Sequence, residues 1–248
     1  MIIYGQNPVK DFINLFPNKI LTLFISKNKL SDSEMKSVVN INTVYVSDAE
    51  LKRITGTTKH QSLAAEIDMP RPKEFKHFKN DIKNMSNIVL ILDHIKDPQN
   101  FGAITRTSVF FGINTIIIPN KRSATISPGS VKASAGAIFG INIYEVPNLA
   151  NSINELKKNK YWILGADIDG KDIKDDIFNK FIGEKLAIVF GSEEKGISSK
   201  IRTNCDFLIS IGRLGKTNSL NENDLDDFIK IENIWMVKKA LPFCLKQI

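Results

Sequence analysis

Between Asn87 and Ile211 six short apolar runs recur, and their spacing leaves few folds open. The runs are Ile88–Leu92, Thr115–Ile118, Ile141–Tyr144, Trp162–Leu164, Leu186–Phe190 and Phe207–Ile211. Each is too short for a helix and nearly free of polar residues, as strands buried on both faces are. Helical stretches at roughly 100–112, 129–138, 148–159 and 222–240 separate most of them. Strands interleaved with helices predict an α/β fold on a mostly parallel sheet covered on both sides. Ligands of such sheets bind beyond the carboxyl ends of the strands, so the loops that follow are where chemistry is expected.

A smaller α/β unit is predicted over residues 1–69. A helix start follows Asn7-Pro8, and Ile20–Ile25 and Thr43–Val46 read as strands. Ser31-Asp-Ser-Glu34 resembles a capping box opening a helix, and Asp48 is placed to cap a short one over Ala49–Ile54. Pro70-Arg71-Pro72-Lys73 then breaks the pattern. Residues 70–84 carry Arg71, Lys73, Lys76, Lys79 and Lys83 against Glu74 and Asp81, which reads as a basic linker able to touch RNA. Residues 85–248 form the second unit.

Composition removes several classes. No run approaches the roughly 18 apolar residues of a membrane span, and the start lacks the basic and apolar segments of a secretory signal. Cys205 and Cys244 make no disulfide framework and fit a reducing, cytoplasmic setting. His60, His77 and His94 show no metal-ligand spacing, so no metal is expected. The formal charge of +7 over 248 residues admits a polyanionic partner without identifying one.

Three loops carry residues suited to chemistry. The first, Asp93 to Arg106, places Asn100 as a helix cap and Arg106 six residues on, off the same helical face. A polar Asn100 beside an arginine that binds phosphate or stabilises an anion is the functional reading. The second, Gly191-Ser-Glu-Glu-Lys-Gly196, has glycines at both ends and Glu193 directly after a buried strand. In the third, Gly215-Lys216-Thr217 imitates a phosphate loop, yet Ser210 stands where that motif needs glycine. Ser219-Leu-Asn-Glu222 is a possible capping box.

Together the loops resemble the three signature motifs of the SpoU (TrmH-like) RNA 2′-O-methyltransferases of the SPOUT superfamily. The matches are Asp97–Arg106, Val189–Ile197 and Ser219-Leu-Asn221, with Pro119–Ala124 and Lys132–Ala137 similar to the intervening segment. Near the amino end, Ile3-Tyr-Gly5, Pro8-Val9 and His60-Gln61 resemble the ribosomal-protein-like (L7Ae/L30e-type) RNA-binding domain of the 23S rRNA guanosine-2′-O-methyltransferase subgroup. Ser62 stands where that subgroup usually has glycine.

The resemblance implies a carboxyl-terminal trefoil knot, a homodimer, RNA as substrate and S-adenosylmethionine as cofactor. Backbone at Gly191, Ile211 and Leu220 would contact the cofactor, and Asn100, Arg106, Glu193, Ser219 and Asn221 fall on functional polar positions. A guanidinium with a pKa above about 12 is a poor base. Arg106 is therefore expected to position a phosphate and stabilise developing charge, with Glu193 and Asn100 orienting it and the ribose. The third motif departs from the family, with Gly212-Arg213 for a common Pro-Met pair and acids across Glu222–Asp227. That departure motivates a second hypothesis, a catalytically weakened RNA-binding or ribosome-assembly protein, and a third keeps the enzyme with tRNA as substrate.

Overall fold

The computed structural model describes residues 1–26, 41–172, 181, 183–192 and 194–210. It divides into two units, Met1–Pro70 and Arg71–Ile248. The helices expected from Ser31 and over 222–240, Cys244 and the expected carboxyl-terminal knot lie outside the described residues.

In the first unit β1 (Ile2–Tyr4), β2 (Ile20–Ser26), β3 (Thr43–Val46) and β4 (Leu63–Ile67) form one sheet in the order β1-β4-β2-β3. Periodicity predicts β2 and β3 but neither β1 nor β4. The first is only three residues long, and Leu-Ala-Ala-Glu-Ile has weak strand propensity by itself. What makes β4 a strand is its central position, antiparallel to both β1 and β2. Helix α1 (Gln6–Leu15) buries Val9, Phe12 and Ile13. Helix α2 (Asp48–Thr55) packs Leu51 with Val46 and Ala64. Its cap is Ser47, not Asp48: the Ser47 hydroxyl accepts the Glu50 N–H while Glu50 accepts the Ser47 N–H, a reciprocal capping box.

The two halves of the amino-terminal motif meet at one turn. The His60 carbonyl accepts the Leu63 N–H at 3.1 Å, and the residues between, Gln61 and Ser62, have φ of 52° and 65°. Paired positive φ values are what a type I′ turn requires, and neither residue is a glycine. The Gln61 Oε1 accepts the Gln6 N–H at 2.9 Å, closing the amino end of α1, while the Gly5 N–H donates to the Leu63 carbonyl.

The second unit begins inside the segment that composition marks as a linker. Lys73–Glu74 is a strand, β5, followed by α3 (Phe75–Asp81) and a 3₁₀ turn over Ile82–Asn84. The linker expectation fails from Lys73 onward because Phe78 and Ile82 are buried in the core of this unit, with Phe75 and Met85 packed against it. The basic residues between these apolar ones stay on the outer side.

The six apolar runs are the strands β6 (Ile88–Leu92), β7 (Thr115–Pro119), β8 (Asn142–Val146), β9 (Tyr161–Asp172), β10 (Lys185–Phe190) and β11 (Phe207–Ser210). With β5 they form a seven-stranded sheet in the order β11-β9-β10-β6-β7-β8-β5, and every pairing in it is parallel. The chain winds outward from β6 through β7 to β8, then crosses to β9 and returns to insert β10 beside β6. That insertion is the topological switch point of the sheet.

Val89, Ile91, Ala187 and Val189 face the side covered by α3 and α6 (Leu149–Lys158), in one cluster with Phe78, Ile153 and Leu156. Leu90, Leu92, Ile188 and Phe190 alternate to the other side and are fully buried too. Helices α4 (Pro98–Phe110) and α5 (Pro128–Ala133) pack together at Gly102, where a Cβ would lie 2.5 Å from that of Ala133. A short α7 (Ser199–Arg202) precedes β11.

At the outer edge the Tyr144 hydroxyl donates to Asp81 at 2.7 Å, joining β8 to α3, and Lys73 lies 3.3 Å from the same carboxylate oxygen. The Tyr144 hydrogen bond, with Lys73 beside it, holds the Asp81 carboxyl below its ordinary range against a smaller opposing effect of burial. Burial, with Asp81 adding to it, pushes the Tyr144 hydroxyl well up. A carboxylate lowered in the folded state contributes stability above its unfolded pKa and loses it as pH falls through the folded one.

Two outcomes are expected. Ser62→Gly relieves the left-handed strain and raises the unfolding free energy by about 0.5–1 kcal/mol in urea titrations. Tyr144→Phe lowers it by about 1 kcal/mol at neutral pH. The gap to wild type narrows as pH is taken below about 4, through the Asp81 titration.

Candidate active site

Strands β6 and β10 run parallel and end together at Leu92 and Phe190, so the loops that follow leave the sheet side by side. The ladder continues one residue further, with the Asp93 N–H donating to the Phe190 carbonyl at 2.7 Å. Beyond it, Asp93 Oδ2 accepts the Ser198 N–H at 2.8 Å. The Ile95 carbonyl accepts the Ala124 N–H at 2.6 Å and the Ser123 hydroxyl at 3.2 Å. Hydrogen bonds thus lace three loops together at the carboxyl end of the sheet, where the switch point predicts a ligand.

The turn after β10 closes on itself. Ser192 and Gly196 exchange both backbone hydrogen bonds, at 3.0 and 2.8 Å, and Gly196 has φ of 63°. A Cβ on Gly191 would lie 1.9 Å from the Gly196 carbonyl carbon, so only glycine permits the closure.

In the loop after β6 the helix cap is Asp97, not Asn100. The Asp97 carboxylate accepts the Gln99 N–H at 2.9 Å, and Pro98 opens the helix, where its missing N–H costs nothing. Asn100 is therefore released from capping and sits in the first turn of α4, 5% exposed. Its Nδ2 is the one buried side-chain nitrogen or oxygen among the described residues without a hydrogen-bond partner. The neighbouring buried hydroxyls are satisfied, Thr105 by the Phe101 carbonyl and Ser108 by that of Ile104. A buried donor left unpaired costs about 1–3 kcal/mol, and an arriving acceptor would recover it. The amide and the glycine turn are features that fit a polar ligand.

Arg106 is exposed, with no carboxylate among the described residues paired to it. Six positions on an α-helix separate it from Asn100 by about 9 Å of rise and about 120° of rotation. The structure does not bring the two side chains together; any joint action would run through a ligand that spans them. Glu193, Ile211, Ser219, Leu220 and Asn221 lie outside the described residues.

Asp93 is the residue that motif reading passes over. It is 1% exposed, and its second oxygen, Oδ1, takes the Nδ1 of His94, which sits at a positive φ of 63°. A carboxylate directly after five fully buried strand residues is the signal that could have found it, because such a charge must have partners. Cys205 is no candidate nucleophile, since burial pushes its thiol up to about 12. Among the described residues no group of three or more His, Cys, Asp or Glu could hold a metal ion. No described helix is long and apolar enough to cross a membrane.

Comparison with known proteins gives this arrangement a family. The profile of the SpoU rRNA methylase family matches residues 87–223, and that of the RNA 2′-O ribose methyltransferase substrate-binding family matches residues 2–73. A Staphylococcus saprophyticus protein named for the TrmH family of tRNA/rRNA methyltransferases is 36% identical over 228 residues, 89% of this chain and 90% of the relative. The Blochmanniella floridana protein named 23S rRNA (guanosine-2′-O-)-methyltransferase RlmB is 33% identical over 229 residues, 89% of each chain. In fold, the chain is similar to the crystal structure of the SpoU methyltransferase AviRb from Streptomyces viridochromogenes in complex with AdoMet. The TM-score is 0.65 at 21% identity, covering 95% of this chain and 90% of that one. The switch-point site thus belongs to an α/β methyltransferase fold. The chain is a member of the SpoU family of RNA methyltransferases.

The Gly191 closure has a direct test. Gly191→Ala forces backbone apart and is expected to cost at least about 2 kcal/mol in thermal or urea unfolding. The Ser192 and Gly196 amides should lose hydrogen-exchange protection in the same variant.

Proposed function

We propose that this chain transfers a methyl group from S-adenosylmethionine to a ribose 2′-hydroxyl of RNA, and specifically to a guanosine of 23S rRNA. The observation that carries the reading is the unpaired, buried Asn100 amide on the helix that bears the exposed Arg106 and follows β6, the strand paired with the one that leads into the glycine turn. Family membership supports the reaction, and the relative named as a 23S rRNA guanosine-2′-O-methyltransferase favours that substrate. The match of residues 2–73 to a substrate-binding family supports RNA recognition by the first unit.

When bound, S-adenosylmethionine supplies a sulfonium-activated methyl group. In this reading the backbone at Gly191, Ile211 and Leu220 holds it. Arg106 grips a phosphate next to the target ribose and stabilises negative charge developing on the 2′-oxygen. Asn100 donates its free amide to a substrate oxygen, which satisfies the orphaned group only in the complex. Glu193, Ser219 and Asn221 complete the polar constellation. A homodimer and a knotted carboxyl end belong to the same proposal.

Arg106→Ala is expected to lower methyl transfer to rRNA by about 100-fold or more while S-adenosylmethionine affinity, measured by calorimetry, changes little. A wild-type chain that neither binds the cofactor nor methylates rRNA would sink the reading. A nucleotide-resolution map of ribose methylation in a strain lacking the protein identifies the target, and loss confined to tRNA would reassign the substrate.

A further inference from the structure

Asp93 is an unusual residue to find at the base of a site. A carboxylate that is 1% exposed has given up its hydration, and chains retain such a charge only where it is fully hydrogen-bonded. Both of its oxygens are committed to different loops. Oδ2 accepts the Ser198 N–H at 2.8 Å across 105 residues of sequence, and Oδ1 takes His94 Nδ1. A carboxylate only accepts, so His94 Nδ1 must carry its hydrogen.

Ser198 lies at the far end of the glycine turn. The near end is fixed by the β6–β10 ladder, because Gly191 follows Phe190 directly, and the middle is fixed by the Ser192–Gly196 exchange. At the far end the Ser198 carbonyl accepts the Ile201 and Arg202 N–H groups of α7 and Ile197 is buried in the core, while the Ser198 N–H is tied to the end of β6 by the Asp93 carboxylate. Ser198 also opens α7 without using its side chain as a cap. Its N–H is the hydrogen bond donor that links the turn's exit to the end of β6.

We propose that Asp93 is a positioning residue for cofactor binding: from the end of β6 it fixes the exit of the 191–198 turn, so that the turn keeps the shape that receives S-adenosylmethionine. The inference rests on the reading above that this turn is the cofactor's. Asp93 acts through the turn's backbone and touches neither cofactor nor substrate. His94 Nδ1 partners the other carboxylate oxygen and takes no part in the Ser198 anchor.

The test uses the full chain, with S-adenosylmethionine titrated calorimetrically into wild type and four variants. Asp93→Ala removes the acceptor. Ser198→Pro removes the donor at a residue whose φ of −60° already suits proline. Each is expected to weaken cofactor binding by roughly tenfold or more, the worth of a lost hydrogen bond to a buried charge. Asp93→Asn keeps one acceptor oxygen and should recover most of the affinity. His94→Ala leaves the Ser198 anchor in place and should stay within about twofold of wild type.

Hydrogen exchange without cofactor should show the Ser192 and Gly196 amides losing protection in Asp93→Ala and Ser198→Pro while β6 and β10 keep theirs. That separates loss of the anchor from loss of the fold. A wild type that binds, with Asp93→Ala and Ser198→Pro binding equally well, overturns the proposal alone. Equal loss in Asp93→Asn and Asp93→Ala overturns it too, because the acceptor would then not be what matters. A wild type that fails to bind overturns the cofactor reading and this inference together.

Discussion

The parallel pairing of β6 with β10 is the contact on which the rest of the second unit depends. Its register runs from Ile88 opposite Leu186 to Leu92 opposite Phe190, joining segments about a hundred residues apart. Closing so long a loop costs conformational entropy, although that cost grows only slowly with loop length. Apolar burial on both sides of the two strands offsets it, since all of Ile88–Leu92 and all but the first residue of Lys185–Phe190 are buried. Once the register is set, Asp93 must lie beside Gly191, and the two motif loops must share one end of the sheet.

Around that pairing the molecule relies on close approach and on polar satisfaction. Gly102 lets α4 and α5 touch backbone to side chain, and Gly191 lets a turn fold onto its own exit. Interiors packed this tightly do not absorb an extra methyl group without moving. Buried polar groups follow the same discipline: the Thr105, Ser108 and Asp93 side chains all have partners. Against that background the Asn100 amide stands out as the buried donor without a partner among the described residues, and the proposed function gives it a substrate oxygen.

Much of the sheet was legible because parallel strands are apolar along their whole length and need no partner information to be recognised. All six runs of the carboxyl-terminal part are strands. The unpredicted strands, β1 and β4, are held by each other and by β2 rather than by their own composition. Residues 73–84 misled for a related reason. Their charge suits a linker, but Phe78 and Ile82 are decided by what they meet, the Tyr144 edge and the α6 side of the core. Caps shifted as well: Asp97 and Ser47 hold the positions assigned to Asn100 and Asp48, because the cap goes to the side chain that reaches the free N–H groups.

By themselves the residues determined the α/β class, the strand positions and the three loops in which Asn100, Arg106 and the 191–196 glycine turn lie. They could do so because strand burial and glycine spacing are written locally. Tertiary structure alone decided that Asn100 is buried and unpaired, that Arg106 stands apart from it in the free chain, and that Asp93 reaches Ser198. Each of these depends on which distant segment arrives next to a side chain, and that is set by sheet register.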